Sequence, residues 1–405
     1  MKKSDSNLYY VESILQHDAN PNDGNQYTAV LQYIPKDISQ WVNEEKDFRR
    51  FTKVEIGKDS LEIVNEDSYV YWLGENNFQA ADTDSRVLQI RERYDNLIES
   101  LRQQIINDNE TTYSGIKELY SYHVNVGHGN HSLIVFKTDN DVHIWMVDCF
   151  ERSQRHRDNI DKCLTHIKKR FHLESPKIDV VMLTHPHYDH FSGIRYYIDK
   201  QMIDKNTLFY INTRYNITKH NFNNLLSKIY SLKSKIIAPI IGSSNTNINI
   251  LYPDNIDKSL KLSYNNMSSV YNIRFDNTSY CIFPGDLEKE GWALLNVDKY
   301  CKCFADVRLY AISHHGSING HLREVKSEFP SGCPKRPNKY KFIHEIVSSK
   351  AIPVLMGKDG AYKGIYSRKV LNDFKGCILY SEKDVTCNSI SFLEIDIMNT
   401  VYKHH

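Results

Sequence analysis

Long apolar runs are missing from this chain: in 405 residues no stretch of eighteen consecutive apolar residues occurs, which argues against a membrane-spanning helix. The opening residues, MKKSDSNLYY, carry two lysines with no apolar segment behind them, so neither export nor membrane association is expected and the expected location is cytoplasmic. A surplus of either charge is missing as well. Lys+Arg 51 against Asp+Glu 50 leaves a formal charge of +1, so any contact with a polyanion has to be local. Paired C-x-x-C spacing and a compact disulfide framework are also absent. The eight cysteines stand at 149, 163, 281, 301, 303, 333, 377 and 387 and read as reduced thiols, with Cys149 and Cys281 as core fillers in apolar strands. The pair Cys301 and Cys303 is only a faint metal or redox pattern. What the chain does have is 40% apolar content, enough for one large domain and a smaller one.

Residues 1 to about 80 alternate short apolar and aromatic runs with polar turns, as in Tyr27 to Ile34 and Ser68 to Leu73, and read as strands of a small module without a catalytic constellation. From Val87 the apolar residues Val87, Ile90, Tyr94, Leu97, Ile98, Leu101 and Ile105 recur at helical intervals, which predicts an amphipathic helix of about five turns. Packing on a core is favoured for it over linking modules or pairing with another subunit. The polar run Asn107 to Thr112 breaks the pattern. The expected division is an N-terminal α+β accessory module over 1–110, a possible platform for a protein partner, and a catalytic domain over 111–405.

One stretch concentrates more chemistry than core packing requires. The apolar run Val180 to Leu183 stops at Thr184, and His185, His187, Asp189 and His190 follow at once, closed by Ser192-Gly193. A buried strand ending in a tight loop can present His185 and His187 on one side and Asp189 and His190 on the other, so two adjacent metal ions can share the turn. Imidazole nitrogen and carboxylate oxygen suit zinc, manganese or iron(II), whereas calcium and magnesium sites are richer in oxygen. The plain alternative is a surface loop that happens to be rich in histidine. The spacing, the preceding strand and the glycine turn agree on the ligand loop.

This H-x-H-x-D-H run resembles the signature of the metallo-β-lactamase-fold hydrolases, with Thr184 and Gly193 where that family has a small residue and a turn glycine. The hairpin from Tyr122 to Phe136, the strand ending in Asp148, a helix from about Asn159 to Phe171 and the His-rich loop follow the order in which that fold opens. Val126-Gly127-His128-Gly129-Asn130 and Ser313-His314-His315-Gly316-Ser317 are similar to segments of the branch that includes the soluble domain of the competence DNA-uptake channel protein and the phosphorylcholine esterases. The resemblance spans about residues 120–396. It implies an α/β four-layer αββα sandwich with two divalent metal ions, zinc first and manganese second, at one edge of the sheets.

The resemblance also implies roles. Asp148 props the ligand loop by hydrogen bonding without holding metal, and Asp286, after the strand Tyr280 to Phe283, bridges both ions. One of His314 and His315 completes the second ion with Asp189 and His190 while the other faces substrate; His315 is the favoured ligand. The candidate metal ligands are therefore His185, His187, Asp189, His190, Asp286 and His315, and the candidate catalytic groups are Asp189, His314 and His128. His128 and His131 stand where the family has Gln and a small residue, either pointing at the metals as substrate or proton-transfer groups or simply exposed on the glycine turn. His220, the single histidine between 191 and 313, reads as a helix-start or surface histidine, so either the first ion lacks a third histidine and is completed by water or only one metal binds tightly. Tyr366 and Ser367 stand near the place of a family histidine. Residues 322–345 are basic and proline-broken, either a polyanion-facing loop or a solvated insertion.

Two metals in such a turn lower the pKa of a bridging water toward neutrality and neutralise charge on an attacked oxygen. The leading expectation is a phosphodiesterase or nuclease acting on a nucleic acid or a smaller phosphodiester. The same water can serve carboxylic ester, thioester or lactone hydrolysis. A third reading is a metal-stabilised binding module without turnover.

Overall fold

The structure, a computed structural model, describes residues 7–16, 25–39, 51–74, 77–102, 105–106, 112–139, 141–212, 220–237, 247–253, 262–276, 278–295, 297–321, 343–357, 365–374, 378–379 and 390–405. Most of the basic run 322–345 lies outside the described residues. The chain divides into two units, one of Met1–Gln104, Asn216–Leu232 and Tyr362–Gly364, the other of Ile105–Tyr215, Lys233–Ala361 and Ile365–His405. The division thus falls at Gln104, and the segment 216–232, read from the sequence as part of the catalytic domain, groups with the N-terminal strands. Among the described residues no helix is long and apolar enough to cross a membrane.

In the first unit β1 (Asn7–Gln16), β2 (Asn25–Ile34), β3 (Phe51–Gly57), β4 (Tyr69–Gly74) and β5 (Asn77–Ala80) form an antiparallel sheet in the order β3-β2-β1-β4-β5. Successive residues point to opposite faces. Leu8, Tyr10, Ile34 and Tyr69 pack against Val87, Ile90 and Tyr94 of helix α1 (Ser85–Leu101), whereas Val11, Leu31, Ile56 and Val70 fill a cluster of their own. The Asp84 carboxylate caps α1 by accepting from the Arg86 N–H at 2.8 Å, which satisfies one of the donors a helix start leaves open. The predicted helix therefore exists, but it is shorter than its apolar spacing suggests. Ile105–Ile106 instead forms β6 and pairs in parallel with β12 (Lys235–Ile237). Two β-branched residues beside a polar run favour a strand edge over another helical turn.

The second unit holds two mixed sheets. One runs β20-β19-β7-β8-β9-β10-β11-β12-β6, built from β7 (Glu118–Val124), β8 (His131–Lys137), β9 (Val142–Cys149), β10 (Val180–Met182), β11 (Leu208–Tyr210), β19 (Phe392–Asp396) and β20 (Val401–His404) besides β6 and β12. The other runs β13 to β18 in sequence order: β13 (Ile248–Tyr252), β14 (Val270–Phe275), β15 (Thr278–Phe283), β16 (Leu309–Ala311), β17 (Ile352–Leu355) and β18 (Ile378–Leu379). Alternate residues of both sheets, among them Trp145, Val147, Val180 and Met182 from one and Ile250, Ile273, Cys281, Phe283 and Leu309 from the other, share a single buried core. Residues such as these contribute roughly 1.5–3 kcal/mol each on leaving water.

The opposite faces are covered by helices. α2 (Gln154–Arg170), capped by Ser153, buries Ile160, Cys163, Leu164 and Ile167 and ties to β19 through Arg170 and His166 on Glu394, at 2.9 and 2.5 Å. Its first turn lies before the predicted start at Asn159, because that turn is polar and carries no apolar periodicity. Ile282, Tyr310 and Val270 face Trp292, Phe304 and Val370 of α6 (Lys289–Leu294), α7 (Val297–Asp306) and α8 (Arg368–Asp373). Also described are α3 (Tyr188–Phe191), α4 (Ile194–Asp199) and, in the first unit, α5 (His220–Leu232). The architecture is mixed α/β. β9 runs parallel to β10, and β15 to β16. In parallel strands of this kind the loops at the carboxyl ends gather at one edge, the usual place for a binding site.

Candidate metal centre

Four of those loops are fastened to one another by buried hydrogen bonds. Asp148, at the end of β9 with φ 51, accepts from the Thr184 N–H at 2.8 Å, from the Thr184 hydroxyl at 2.7 Å and from His190 Nδ1 at 2.8 Å. Its carboxylate thus sets both ends of the His-rich loop after β10. The Tyr271 hydroxyl reaches across from the facing sheet to the Leu183 carbonyl at 2.8 Å. Asn130 in the glycine turn donates its N–H to the Asp189 carbonyl at 3.1 Å. The Ser313 hydroxyl donates to the carbonyls of Gly285 and Leu287 at 3.1 and 2.7 Å, binding the last two loops together.

Gly285 marks how close these loops come. Its φ is +58, and a Cβ there would lie 2.5 Å from the Thr184 Cβ, so both the left-handed backbone and the packing require glycine. His314 and His315 also have positive φ, 47 and 49. Such conformations cost energy in residues with a Cβ and persist where the surroundings impose them.

The fastened loops bring distant donors together. His185, His190 and Asp286 form one group with ligand atoms in mutual reach, and His128, Asp189 and His315 form a second. Asp286 stands between the groups: Oδ1 lies 3.3 Å from His190 Nε2, while Oδ2 lies 3.3 Å from His315 Nε2 and 3.9 Å from His185 Nε2. Asp189 Oδ2 lies 3.3 Å from His315 Nε2 and 3.8 Å from His128 Nε2. His187 turns Nδ1 toward His185 Nε2 at 3.0 Å. A four-coordinate ion with bonds of about 2.0–2.2 Å has ligand atoms roughly 3.3–3.6 Å apart, and the separations here bracket that range.

The donor set fits divalent metal on electrostatic grounds as well. His315 donates Nδ1–H to the Met356 carbonyl at 2.7 Å, which leaves Nε2 facing the carboxylates of Asp189 and Asp286; His190 is held in the same sense by Asp148. The outer hydrogen bond of an imidazole selects the ring nitrogen available to a metal. Burial works against charge on His315, but Asp286 and Asp189 outweigh it and hold its pKa up to about 10. Burial likewise opposes charge on His190, and Asp286, Asp148 and Asp189 overcome it and raise its pKa. Asp286 is desolvated, yet His315 and His190 keep its carboxyl well below the ordinary range. His185 goes the other way, pushed down by burial and by His190 and His187. Buried carboxylates balanced in this way by imidazolium protons are a site where a cation can replace the protons.

The structure brings His185, His187, Asp189, His190, Asp286 and His315 to one place, together with His128 and, beside them, His314. The donor groups overlap: His190 lies with His185 and Asp286, and Asp189 with His128 and His315, while His190 Nε2 is also 3.9 Å from Asp189 Oδ1. His128 is largely buried, with its ring centroid 4.2 Å from that of His315, so it is a donor in the second group and not an exposed turn residue. His131 points elsewhere. It is buried with Nε2 2.8 Å from the Tyr197 hydroxyl and its ring beside Cys149, because it begins β8 and alternation sends it to the α4 side. α5 begins at His220, whose side chain lies outside the described set.

Sequence reasoning passed over Glu288, two residues beyond Asp286. Its Oε1 is 3.2 Å from His314 Nδ1, and it accepts from the side chains of Asn265 and Asn266 at 3.2 and 3.3 Å. Burial works against charge on His314, but Asp286 and Glu288 raise its pKa. An acid closely following the Gly-Asp pair was the available signal.

Residues 125–204 match the family model described as the metallo-beta-lactamase superfamily, whose members are generally metal-dependent hydrolases. That segment contains the glycine turn, Asp148 and the His-rich loop, but not Asp286 or His315. No curated protein matches the chain. Several solved structures are similar over part of it, two of them as follows. The metallo-beta-lactamase fold protein YhfI from Bacillus subtilis is 15% identical, with a TM-score of 0.29, over 48% of this chain and 70% of that one. A structure titled as a new diphosphatase from the PhnP family is 11% identical, with a TM-score of 0.30, over 58% of this chain and 86% of that one.

Proposed function

We propose that this chain is a metal-dependent hydrolase of phosphodiesters, a nucleic acid or a smaller ester, built on a four-layer αββα arrangement of the two mixed sheets and their covering helices. The observation that carries the reading is Asp286, whose two oxygens face the two donor groups at 3.3 Å each. His185, His187, His190 and Asp286 are assigned to one ion, and Asp189, His315, His128 and Asp286 to the other. Two divalent ions, zinc or manganese, supply Lewis acidity and lower the pKa of water when bound.

The chain's own residues supply the rest. Asp148 holds His190 in the tautomer that offers Nε2, and the Met356 carbonyl does the same for His315. His314, steadied at Nδ1 by Glu288, is assigned as the group that gives a proton from Nε2 to the leaving oxygen. Imidazoles flanking the acidic cluster suit the non-bridging oxygens of a phosphodiester, and the likeness of the glycine turn and of Ser313 to Ser317 to the phosphodiester-cleaving branch points the same way.

The test is turnover of a generic phosphodiester, bis(p-nitrophenyl) phosphate, with zinc or manganese added, by the full chain and by His187→Ala and Asp286→Ala. A loss of about 100-fold or more is expected in both variants, in line with removing a principal electrostatic contributor. Equal rates in all three proteins would refute the assignment. Turnover of carboxylic esters, thioesters or lactones with none of the phosphodiester would move the same residues to that chemistry.

A further inference from the structure

A second constellation of histidines and an acid lies outside the groups described above. His321 follows the short turn Ile318–Gly320, His344 lies in the turn Ile343–Glu345, and Asp373 ends α8. Their ligand atoms lie within 4.8 Å of one another. One oxygen, Asp373 Oδ2, is the common point: His321 Nε2 is 3.0 Å from it and His344 Nδ1 is 3.9 Å from it. The two imidazoles are stacked, with centroids 5.4 Å apart and planes 16° from parallel, and Phe374 sets its edge against both.

This arrangement is more than a hydrogen-bonded pair. The His344 separation is too long for a hydrogen bond and a few tenths of an ångström beyond the roughly 3.3–3.6 Å edge of a coordination tetrahedron; His321 is buried, while His344 and Asp373 are 26% and 24% exposed. A similar cluster, His166, Glu394 and His405, already has its cation, since Arg170 donates to Glu394 at 2.9 Å. Among the described residues, Asp373 has no lysine or arginine within ion-pair distance.

We propose that His321, His344 and Asp373 form a separate metal site that takes Zn²⁺ through two imidazole nitrogens and one carboxylate oxygen, with water in the open position. Its place in the chain gives it a task. Gly320, next to His321, lies so close that a Cβ there would be 2.7 Å from the His314 Cβ, and its carbonyl accepts from Trp292 Nε1 at 2.9 Å. At the start of α8 the Ser367 N–H donates to the Gly316 carbonyl at 2.9 Å. An ion joining His321 to Asp373 therefore clamps the two elements that flank His314 and His315.

The site is tested by zinc stoichiometry and affinity in the full-length protein, by elemental analysis after dialysis and by competition with a chromophoric chelator. Each is measured for the unaltered protein, His344→Ala and Asp373→Asn, and again for all three in a background carrying Asp286→Ala and His315→Ala, so that failure of the other metal assignment is read separately. In either background His344→Ala and Asp373→Asn are expected to bind one zinc fewer, or to bind that zinc at least about 100-fold more weakly. Circular dichroism checks that each variant is folded. His344 is partly exposed and the Asp-to-Asn change is isosteric, so at least one folded variant is expected. Unchanged stoichiometry and affinity in a folded variant of either kind overturns the proposal.

Discussion

Asp148→Asn isolates the part of the metal centre that the protein builds without touching metal. The Asp148 carboxylate accepts three hydrogen bonds of 2.7–2.8 Å, two from Thr184 and one from His190 Nδ1. Asparagine keeps the shape and keeps an acceptor for the Thr184 N–H, but it turns an NH₂ toward Thr184 Oγ1 and His190 Nδ1. The hydroxyl can reverse its bond and accept. The imidazole can accept only if its proton moves to Nε2, the atom 3.3 Å from Asp286 Oδ1, and there it occupies the lone pair a metal needs. Loss of such a supporting carboxylate weakens metal binding by about 10–100-fold, or roughly 1.4–2.8 kcal/mol. Competition of the full-length protein with a chromophoric chelator for zinc measures this directly. An affinity equal to that of the unaltered protein would show that His190 does not hold metal through Nε2, and the assignment of its group would fall.

Further outcomes follow from the same geometry. Gly285→Ala places a Cβ 2.5 Å from the Thr184 Cβ at φ +58, and is expected to cost about 2–4 kcal/mol from left-handed strain and overpacking; an unchanged urea midpoint contradicts it. His315, with its pKa held up to about 10 in the metal-free protein, contributes stability that is full below about pH 6.5 and is lost as pH rises through about 10. Zinc binding at pH 8 should therefore release about one proton from it. Calorimetry in buffers of different ionisation enthalpy measures that proton, and identical heats in all buffers exclude it. In the N-terminal unit, Asp84 is held at a pKa of about 2, chiefly by its hydrogen bonds from the Arg86 side chain. Its stabilisation is present above about pH 3.8 and disappears as pH falls through about 2. Asp84→Ala should cost about 1 kcal/mol at neutral pH, the worth of a helix cap beside a partly exposed ion pair, and well under that once the pH has fallen to about 2. Hydrogen exchange of the α1 amides reads both values, and a pH-independent difference refutes the account.

Much of the centre was legible because its donors are local in the chain. His185, His187, Asp189 and His190 fall on one turn after an apolar strand, and strand alternation and helical spacing located most of the elements around them. The reach of α1 and the start of α2 differ from the helical spacing where periodicity and chain geometry disagree: Ile105 fits that spacing yet pairs as a strand, and the first turn of α2 is helical without an apolar residue to announce it.

By itself, then, the sequence determined the candidate ligands, the loop that carries four of them and the strands that lead into Asp148, Asp286 and His315. Only the tertiary structure decided which donors come within reach of one another, that His128 turns inward beside His315 while His131 faces Tyr197, and that His321, His344 and Asp373 meet at all. Those choices depend on hydrogen bonds between loops remote in sequence, chiefly the three that Asp148 accepts, and no spacing along a single strand or helix encodes a contact that forms only when two sheets close on a common core.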